Sequence, residues 1–359
     1  REGGVSMSLT GWPRGLCWGL AIAAGRVLGG ALGGLHMPAA AMVGPMIAGA
    51  VVALLGAGLR LPDGIGRMGQ GVAGCLIALN LDAAALHQTL GNWPVALVFV
   101  VLTFGAACLV GLVASGWTGL DRELALWGFL PGMMSTVIAV AHERGLDSRM
   151  IALIQILRLM LVIAAMVVVA MLVSGPAMAP GSGQAATLQS TALVLLLCGI
   201  GTAAARWLPF IPAAASLVPL SLATALVLGG CNLAMPGWLV VLAFLAIGLQ
   251  VGLRFTPALL RRGLSALPGL AAACLLLIGL CGAGGVALSW IAGVSLMSGI
   301  LATVPGSIDS IAILAIGTGA DLAFVMGLQT LRMFAVVIFG PMLASGLARW
   351  LQAGQGVRR

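Results

Sequence analysis

Two copies of one motif, a Pro-Gly pair followed downstream by Gln-x-x-Arg, lie in the chain at a constant separation of 174 residues. The copies are Pro131-Gly132 with Gln155 and Arg158, and Pro305-Gly306 with Gln329 and Arg332. The same offset relates two upstream prolines, Pro38 and Pro45, to Pro212 and Pro219. A match without gaps over this distance predicts a tandem duplication in which each half is one structural unit.

A segment rich in Gly, Pro, Ala and Ser separates the two halves. Glycine and proline interrupt regular structure, so a stretch of this composition between apolar segments is typical of a boundary. We predict a first repeat over 1–174, a linker over 175–190 and a second repeat over 191–359.

The chain is 61% apolar and 7% charged, whereas a soluble domain has about 25% charged residues. Apolar runs of about 20 residues cross the roughly 30 Å hydrocarbon core as helices, which close their backbone hydrogen bonds internally. We therefore expect a lipid bilayer as the main solvent and an all-α polytopic membrane protein. The predicted helices lie at about 15–34, 38–58, 66–81, 93–116 and 148–174, then at about 189–207, 212–231, 237–253, 265–289 and 321–348.

Charge and ligand patterns argue against several other classes of protein. All 17 basic residues are arginines scattered among apolar spans, so we expect no nucleic-acid partner. The seven cysteines form no Cys-x-x-Cys pair, and the three histidines lie far apart. We therefore expect reduced cysteines that act as small core residues, no metal site and no cofactor.

The topology depends on whether the Pro-Gly stretches, at about 120–147 and 292–320, cross the membrane. If they cross, arginines face both sides, which the positive-inside rule disfavours. If each is a re-entrant hairpin, each half has five crossings and the second half is inverted relative to the first, as in many secondary transporters. The arginines that then share the cytoplasmic face with both termini are Arg14, Arg60, Arg67, Arg122, Arg144, Arg149, Arg206, Arg254, Arg261, Arg262, Arg349, Arg358 and Arg359. A broken helix that crosses fully is the alternative.

Arg158 and Arg332 lie near the middle of predicted long helices, where a charged side chain is costly and marks a functional site. Gln155 and Gln329 precede them by three residues, on the same helical face. We predict that these four residues bind substrate. The alternative is that each arginine caps orphan carbonyls at a helix break.

The Pro-Gly breaks supply the other part of the predicted site. Proline removes a backbone donor and glycine permits unusual dihedral angles, so a new helix N-terminus follows each break. Such an end has free N–H groups and favours anions. The residues predicted to bind a small anionic solute there are Gly132, Ser135, Thr136, Gly306, Ser307 and Ser310. The alternative is that the breaks are packing kinks.

Three aspartates have separate interpretations. Asp309, whose counterpart is Ser135, is either a salt-bridge partner of Arg332 or the site that takes up a coupling proton or sodium ion. Asp147 and Asp321 each follow a glycine at the start of a helix and are predicted to be N-caps.

The segments Leu130–Thr136, Leu-Pro-Gly-Met-Met-Ser-Thr, and Ala152–Leu159, with their degenerate second copy, resemble the AbrB-type bacterial inner-membrane proteins. The resemblance spans about 20–345 and implies a duplicated hydrophobic domain in the inner membrane. Members carry the labels ammonia monooxygenase or regulator of gene expression. Their plan is similar to inverted-repeat transporters, although architecture alone does not define function.

These features predict a secondary transporter of a small anionic solute that is not an enzyme. Proton or sodium coupling and a homodimer are left open. The alternatives are a membrane regulatory or sensory protein without transport and, less favoured, an ammonia monooxygenase, which requires clustered copper or iron ligands.

Overall fold

A computed structural model of the chain describes residues 9–81, 93–130, 145–173, 186–208, 211, 213–336 and 339. The regular secondary structure within these ranges is helical. In chain order the helices are α1 (Arg14–Gly34), α2 (Ala40–Leu54), α3 (Asp63–Leu79), α4 (Trp93–Thr118), α5 (Arg122–Phe129), α6 (Ser148–Val173), α7 (Leu188–Trp207), α8 (Ala214–Leu228), α9 (Gly237–Gly252), α10 (Pro257–Gly263), α11 (Leu267–Ala292), α12 (Leu296–Thr303), α13 (Ile308–Thr318) and α14 (Leu322–Val336).

Five of these helices are long and apolar enough to cross a bilayer: α1, α4, α6, α7 and α11. Helices α4, α6 and α11 have 26 residues each, which is about 39 Å at 1.5 Å per residue. Shorter apolar helices are α2, α8, α9, α13 and α14. Length and composition therefore confirm the prediction of a helical membrane protein.

Within the described residues the predicted bounds are close to the observed ones, with two kinds of error. The predicted end of the last helix at 348 lies outside these residues. Helices α2 and α8 end at Leu54 and Leu228, before the predicted ends at 58 and 231. Gly56 and Gly230, which follow them, both have φ values of 84°, and a left-handed residue ends a helix. The second error is α10, a short helix that the hydropathy pattern did not predict.

Local conformation recurs with the sequence offset. The bounds of α2 and α8, of α4 and α11, and of α5 and α12 differ by 174 residues at both ends. The N-cap residues Ala39 and Ala213 also share left-handed φ values, of 57° and 48°. Corresponding segments of the two halves thus adopt the same local structure.

The described helices fall into two compact units, and each unit takes helices from both halves of the sequence. The first unit contains α1, α2, α3, α7, α8 and α9. The second contains α4, α5, α6, α11, α12, most of α13 and α14. The division into 1–174 and 191–359 concerns the sequence repeats and stays a prediction.

The first unit contains two close helix approaches that correspond to each other in the two halves of the sequence. There α2 contacts α1 and α9, and α8 contacts α7 and α3. A Cβ atom at Gly74 on α3 would collide with the Ser216 carbonyl oxygen on α8. One at Gly248 on α9 would collide with the Met42 carbonyl oxygen on α2. The absence of a side chain permits both approaches.

In the second unit, long helices hold the two eight-residue helices in place. Helix α5 contacts α4, and α12 contacts α11. A Cβ atom at Gly111 on α4 would lie 3.2 Å from the Leu126 Cα atom, and one at Gly285 on α11 would lie 2.6 Å from the Ile300 Cα atom. These glycine contacts position the ends of α5 and α12 for the candidate site.

Candidate functional site

The half-helices α5 and α12 both end at a Pro-Gly motif. Asp121 starts α5 by accepting hydrogen bonds from the Glu123 and Leu124 N–H groups at 2.8 and 3.2 Å. Ser295 starts α12 by accepting one from the Ser298 N–H at 3.2 Å. Each helix is about 12 Å long at 1.5 Å per residue, too short to cross the hydrocarbon core.

Both half-helices end for the same reason. Leu130 has φ −60° and ψ 124°, and Val304 has φ −67° and ψ 133°, so both residues are extended. A residue that precedes proline is disfavoured from the helical region by a steric clash. The last carbonyl groups of α5 and α12 are consequently left without helical partners.

In the second copy, Arg332 and Gln329 on α14 bind these orphan carbonyls. The Arg332 guanidinium donates from Nη1 to the Val304 oxygen at 2.9 Å and from Nη2 to the Gly306 oxygen at 3.1 Å. The Gln329 amide donates from Nε2 to the Leu301 and Val304 oxygens at 2.7 and 3.1 Å. Two side chains thus complete the end of α12.

In the first copy, Arg158 on α6 has the equivalent role. Its Nη1 donates to the Phe129 carbonyl oxygen at 2.8 Å. Gln155 is 5% exposed, and its Nε2 has no hydrogen-bond partner among the described residues. Among the described residues, Arg158 thus caps the end of α5.

The capping contacts use only part of the hydrogen-bonding capacity of each guanidinium group. Each arginine has five N–H donors. The Nε groups of Arg158 and Arg332 are buried and have no partner in the described part of the chain, and the same holds for Gln329 Oε1. A binding role for these side chains remains a prediction beside the capping contacts.

The two guanidinium groups lie close enough to repel each other electrostatically. Arg158 and Arg332 are only 8% and 6% exposed. The Cys281 thiol on α11 lies near both of them, and the Cys274 thiol lies near Arg158. The second unit therefore contains a buried cluster of two cations with two thiols beside it.

Helix α12 and helix α14 run in the same direction. The Asp321 N–H, just before α14, donates to Ser298 Oγ near the start of α12 at 2.7 Å, whereas Arg332 binds Val304 at the end of α12. The chain that continues after Ser298 therefore comes back at Asp321 to the position of Ser298 along the helix axis. Helix α13 lies between these two points.

The start of α13 brings together most of the predicted residues of the second copy. Ser307 Oγ accepts a hydrogen bond from the Ser310 N–H at 3.3 Å, and the two hydroxyls are 2.7 Å apart. Asp309, in the first turn, is 8% exposed. Gly306 joins this turn to Arg332 through its carbonyl group.

Other predicted positions have mixed outcomes. Gly132, Ser135 and Thr136 lie outside the described residues. The predicted N-caps are confirmed, because Asp147 Oδ1 accepts from the Arg149 N–H at 3.0 Å and Asp321 Oδ1 accepts from the Phe324 N–H at 3.0 Å.

Sequence analysis missed two residues near the half-helix ends. Trp127 is 2% exposed, and its Nε1 has no partner among the described residues. Thr303 Oγ1 donates to the Cys281 carbonyl oxygen at 2.8 Å, which ties α12 to α11. Their positions in the sequence could have indicated them, since Trp127 and Thr303 each lie within four residues of a Pro-Gly pair.

The first unit has a separate crevice of about 200 Å³. Arg26 of α1 lines it together with Gly25, Gly29 and Pro45. Across the described residues, no three His, Cys, Asp or Glu side chains come together in a way that could hold a metal ion.

The fold and its buried arginines define a helical membrane protein with a polar cluster in its second unit. The model of one family, described as "Transition state regulatory protein AbrB", matches residues 41–348, and the chain therefore belongs to the AbrB family. It is 31% identical over 334 residues to "Putative regulator AbrB" of Escherichia coli (strain K12), with 92% of this chain and 96% of the relative covered. It is 25% identical over 335 residues to "Uncharacterized protein YhjN" of Bacillus subtilis (strain 168), covering 84% and 85%. The predicted family is confirmed.

Proposed function

We propose that this protein is a secondary transporter of a small anionic solute in the bacterial inner membrane, with both termini in the cytoplasm. The solute binds near the bilayer midplane, between the two Pro-Gly breaks. The observation that carries the proposal is the pair of buried guanidinium groups of Arg158 and Arg332, each at the end of a half-helix.

The charge of this pair favours an anion. The hydrogen bonds of both guanidinium groups within the described residues go to backbone carbonyls, which carry partial rather than full negative charge. An arginine in the bilayer centre costs about 2.5 kcal/mol or more, and a second cation nearby adds repulsion. An anion between them relieves both penalties and engages the Nε donors.

The transporter plan rests on inverted repeats with re-entrant hairpins. The return of the chain from Val304 to Asp321, at the level of Ser298, supports a hairpin that enters and leaves on one side. The reciprocal contacts of Gly74 with Ser216 and of Gly248 with Met42 support a twofold relation between the halves. Transporters of this plan bind substrate at the repeat interface.

Asp309 is the proposed coupling site. It is a buried carboxyl three residues after Gly306, whose carbonyl group binds Arg332. A carboxyl group at this depth is suited to take up a proton or a sodium ion, because the bound coupling ion compensates the buried negative charge. Either coupling ion is compatible with this position.

A membrane regulator is the second candidate, because the family description and the name of the Escherichia coli relative both say regulator. In that case the same cluster binds an anion and signals its presence without moving it. The two candidates share the binding step and differ in translocation.

Binding is tested by thermal unfolding of the wild type, Arg158→Gln and Arg332→Gln with mono-, di- and tricarboxylates, phosphate and chloride. A ligand of the folded state stabilises it by RT ln(1 + [L]/Kd), about 2.7 kcal/mol at a hundredfold excess over Kd. We expect at least one anion to raise the unfolding temperature of the wild type and to leave the unfolding temperatures of both variants unchanged. Arg26→Gln, on α1 of the first unit, is the matched control and should keep the shift.

Stable variants that respond like the wild type would remove these arginines from the site. Arg→Lys variants should keep much of the binding, weakened by loss of the bidentate fork. Translocation is then measured in liposomes preloaded with the active anion, by uptake of the labelled anion in exchange. Binding without any exchange would favour the regulator.

A further inference from the structure

We propose that Cys75 and Cys198 form a redox-sensitive pair that closes to a disulfide between α3 and α7 when a membrane-permeant oxidant reaches it. This modification site lies in the first unit and is independent of the anion cluster. Both residues are free thiols in the structure.

The two thiols face each other across a helix contact. Helices α3 and α7 pack together, and the Cys75 and Cys198 thiols are near enough to interact across this contact. They are 1% and 0% exposed. A thiol pair held in this way needs little side-chain movement to form a covalent bond.

The backbones approach closely because Gly71 lies opposite Cys198. A Cβ atom at Gly71 would be 3.1 Å from both Cα and Cβ of Cys198 and 3.2 Å from its Sγ. Gly71 is one turn before Cys75, on the same face of α3. A disulfide requires Cα atoms about 4.4–6.8 Å apart, and a glycine at this contact favours that range.

Other described thiols are less suited to this reaction. Cys274 and Cys281 lie seven residues apart on one helix, about 10.5 Å at 1.5 Å per residue, which is too far for a bridge. Cys231 is exposed, so it reacts between molecules rather than within one.

The chemistry is a two-electron oxidation. The Cys75 and Cys198 S–H bonds break, one Sγ–Sγ bond forms, and two protons and two electrons pass to the oxidant. The probe is diamide, an azo compound that crosses membranes and is reduced to its hydrazine. The burial of both thiols predicts much slower reaction with glutathione disulfide, which is charged and confined to water.

The test uses the full-length Cys231→Ser protein in membranes. It is treated with diamide, unfolded, alkylated and analysed by mass spectrometry without reduction. We expect the loss of two thiols, a peptide containing Cys75 joined to one containing Cys198, and reversal by dithiothreitol. Cys75→Ser and Cys198→Ser should each prevent this loss, whereas Cys274→Ser should not.

A second pair of variants tests the geometry. Gly71→Ala forces α7 away from α3 and should slow the oxidation relative to Gly199→Ala. Gly199 is next to Cys198 and has open space at its Cβ position, so its substitution should leave the rate unchanged. Retention of all thiols in folded protein after diamide, or a link between other cysteines, would overturn the proposal.

Discussion

The guanidinium of Arg332 joins the two sides of a helix break, since it binds carbonyl groups both before and after Pro305. Arg158 binds the carbonyl group of Phe129 at the end of α5. Related arginines in the two halves thus both hold the end of a half-helix. The contacts of Arg332 lead to a prediction about stability that does not depend on any ligand.

We expect Arg332→Gln to destabilise the protein more than Arg26→Gln. A hydrogen bond from a charged donor contributes about 1.5–3 kcal/mol, and removing it leaves a buried carbonyl unsatisfied. Arg332 makes two such bonds, whereas Arg26 is exposed on α1. The measurement is the unfolding temperature of each variant in detergent without added anions. Equal losses, or a larger loss for Arg26→Gln, would contradict the observed capping contacts.

At the scale of the elements, α12 is positioned by its contact with α11. Gly285 and Gly299 face each other across this contact, and Thr303 adds a hydrogen bond to the Cys281 carbonyl. The corresponding contact of Gly111 with Leu126 is looser. The close approach fixes the depth at which α12 ends, and therefore where Arg332 is needed.

Gly285→Ala should be destabilising by about 1–3 kcal/mol, because the new methyl group overlaps backbone atoms that cannot rotate away. Gly111→Ala should cost less, since its nearest contact is 3.2 Å. Gly279→Ala is the control on the same helix, with open space at its Cβ position, and should be neutral or slightly stabilising. Thermal unfolding ranks the three variants. A harmless Gly285→Ala would show that α12 does not pack at this distance.

At the scale of the whole molecule, the proposed topology has a direct test. Cysteines replacing Arg144 and Arg254 should be labelled by a membrane-impermeant maleimide only from the cytoplasm, and one at Gly181 only from outside. The background is Cys231→Ser, because Cys231 is an exposed native thiol. Labelling of positions 122 and 144 from opposite sides would show that the first Pro-Gly stretch crosses the membrane.

The expectation that the protein holds no metal centre is also tested on the whole molecule. We expect elemental analysis of the purified protein to give less than stoichiometric copper, iron and zinc, because an oxygenase centre needs clustered ligands. About one metal ion per chain that survives dialysis would revive the ammonia monooxygenase alternative.

Much of the fold follows from the sequence because hydropathy, proline and glycine act locally. Apolar length predicted α6 and α11, and proline at 131 and 305 predicted where α5 and α12 end. The 174-residue offset predicted that helix bounds in one half would recur in the other. Hydropathy and proline act on residues within a few turns of one another, and the offset repeats the same local sequence in both halves.

Only the tertiary structure decided which side chains meet. The partners of Arg332 lie 26 and 28 residues away, and the thiols of Cys75 and Cys198 belong to different halves of the sequence. A local pattern places an arginine or a cysteine on a helix face but does not choose the opposing helix. That choice depends on backbone approach at residues such as Gly71 and Gly285, where the packing of distant segments sets the contact.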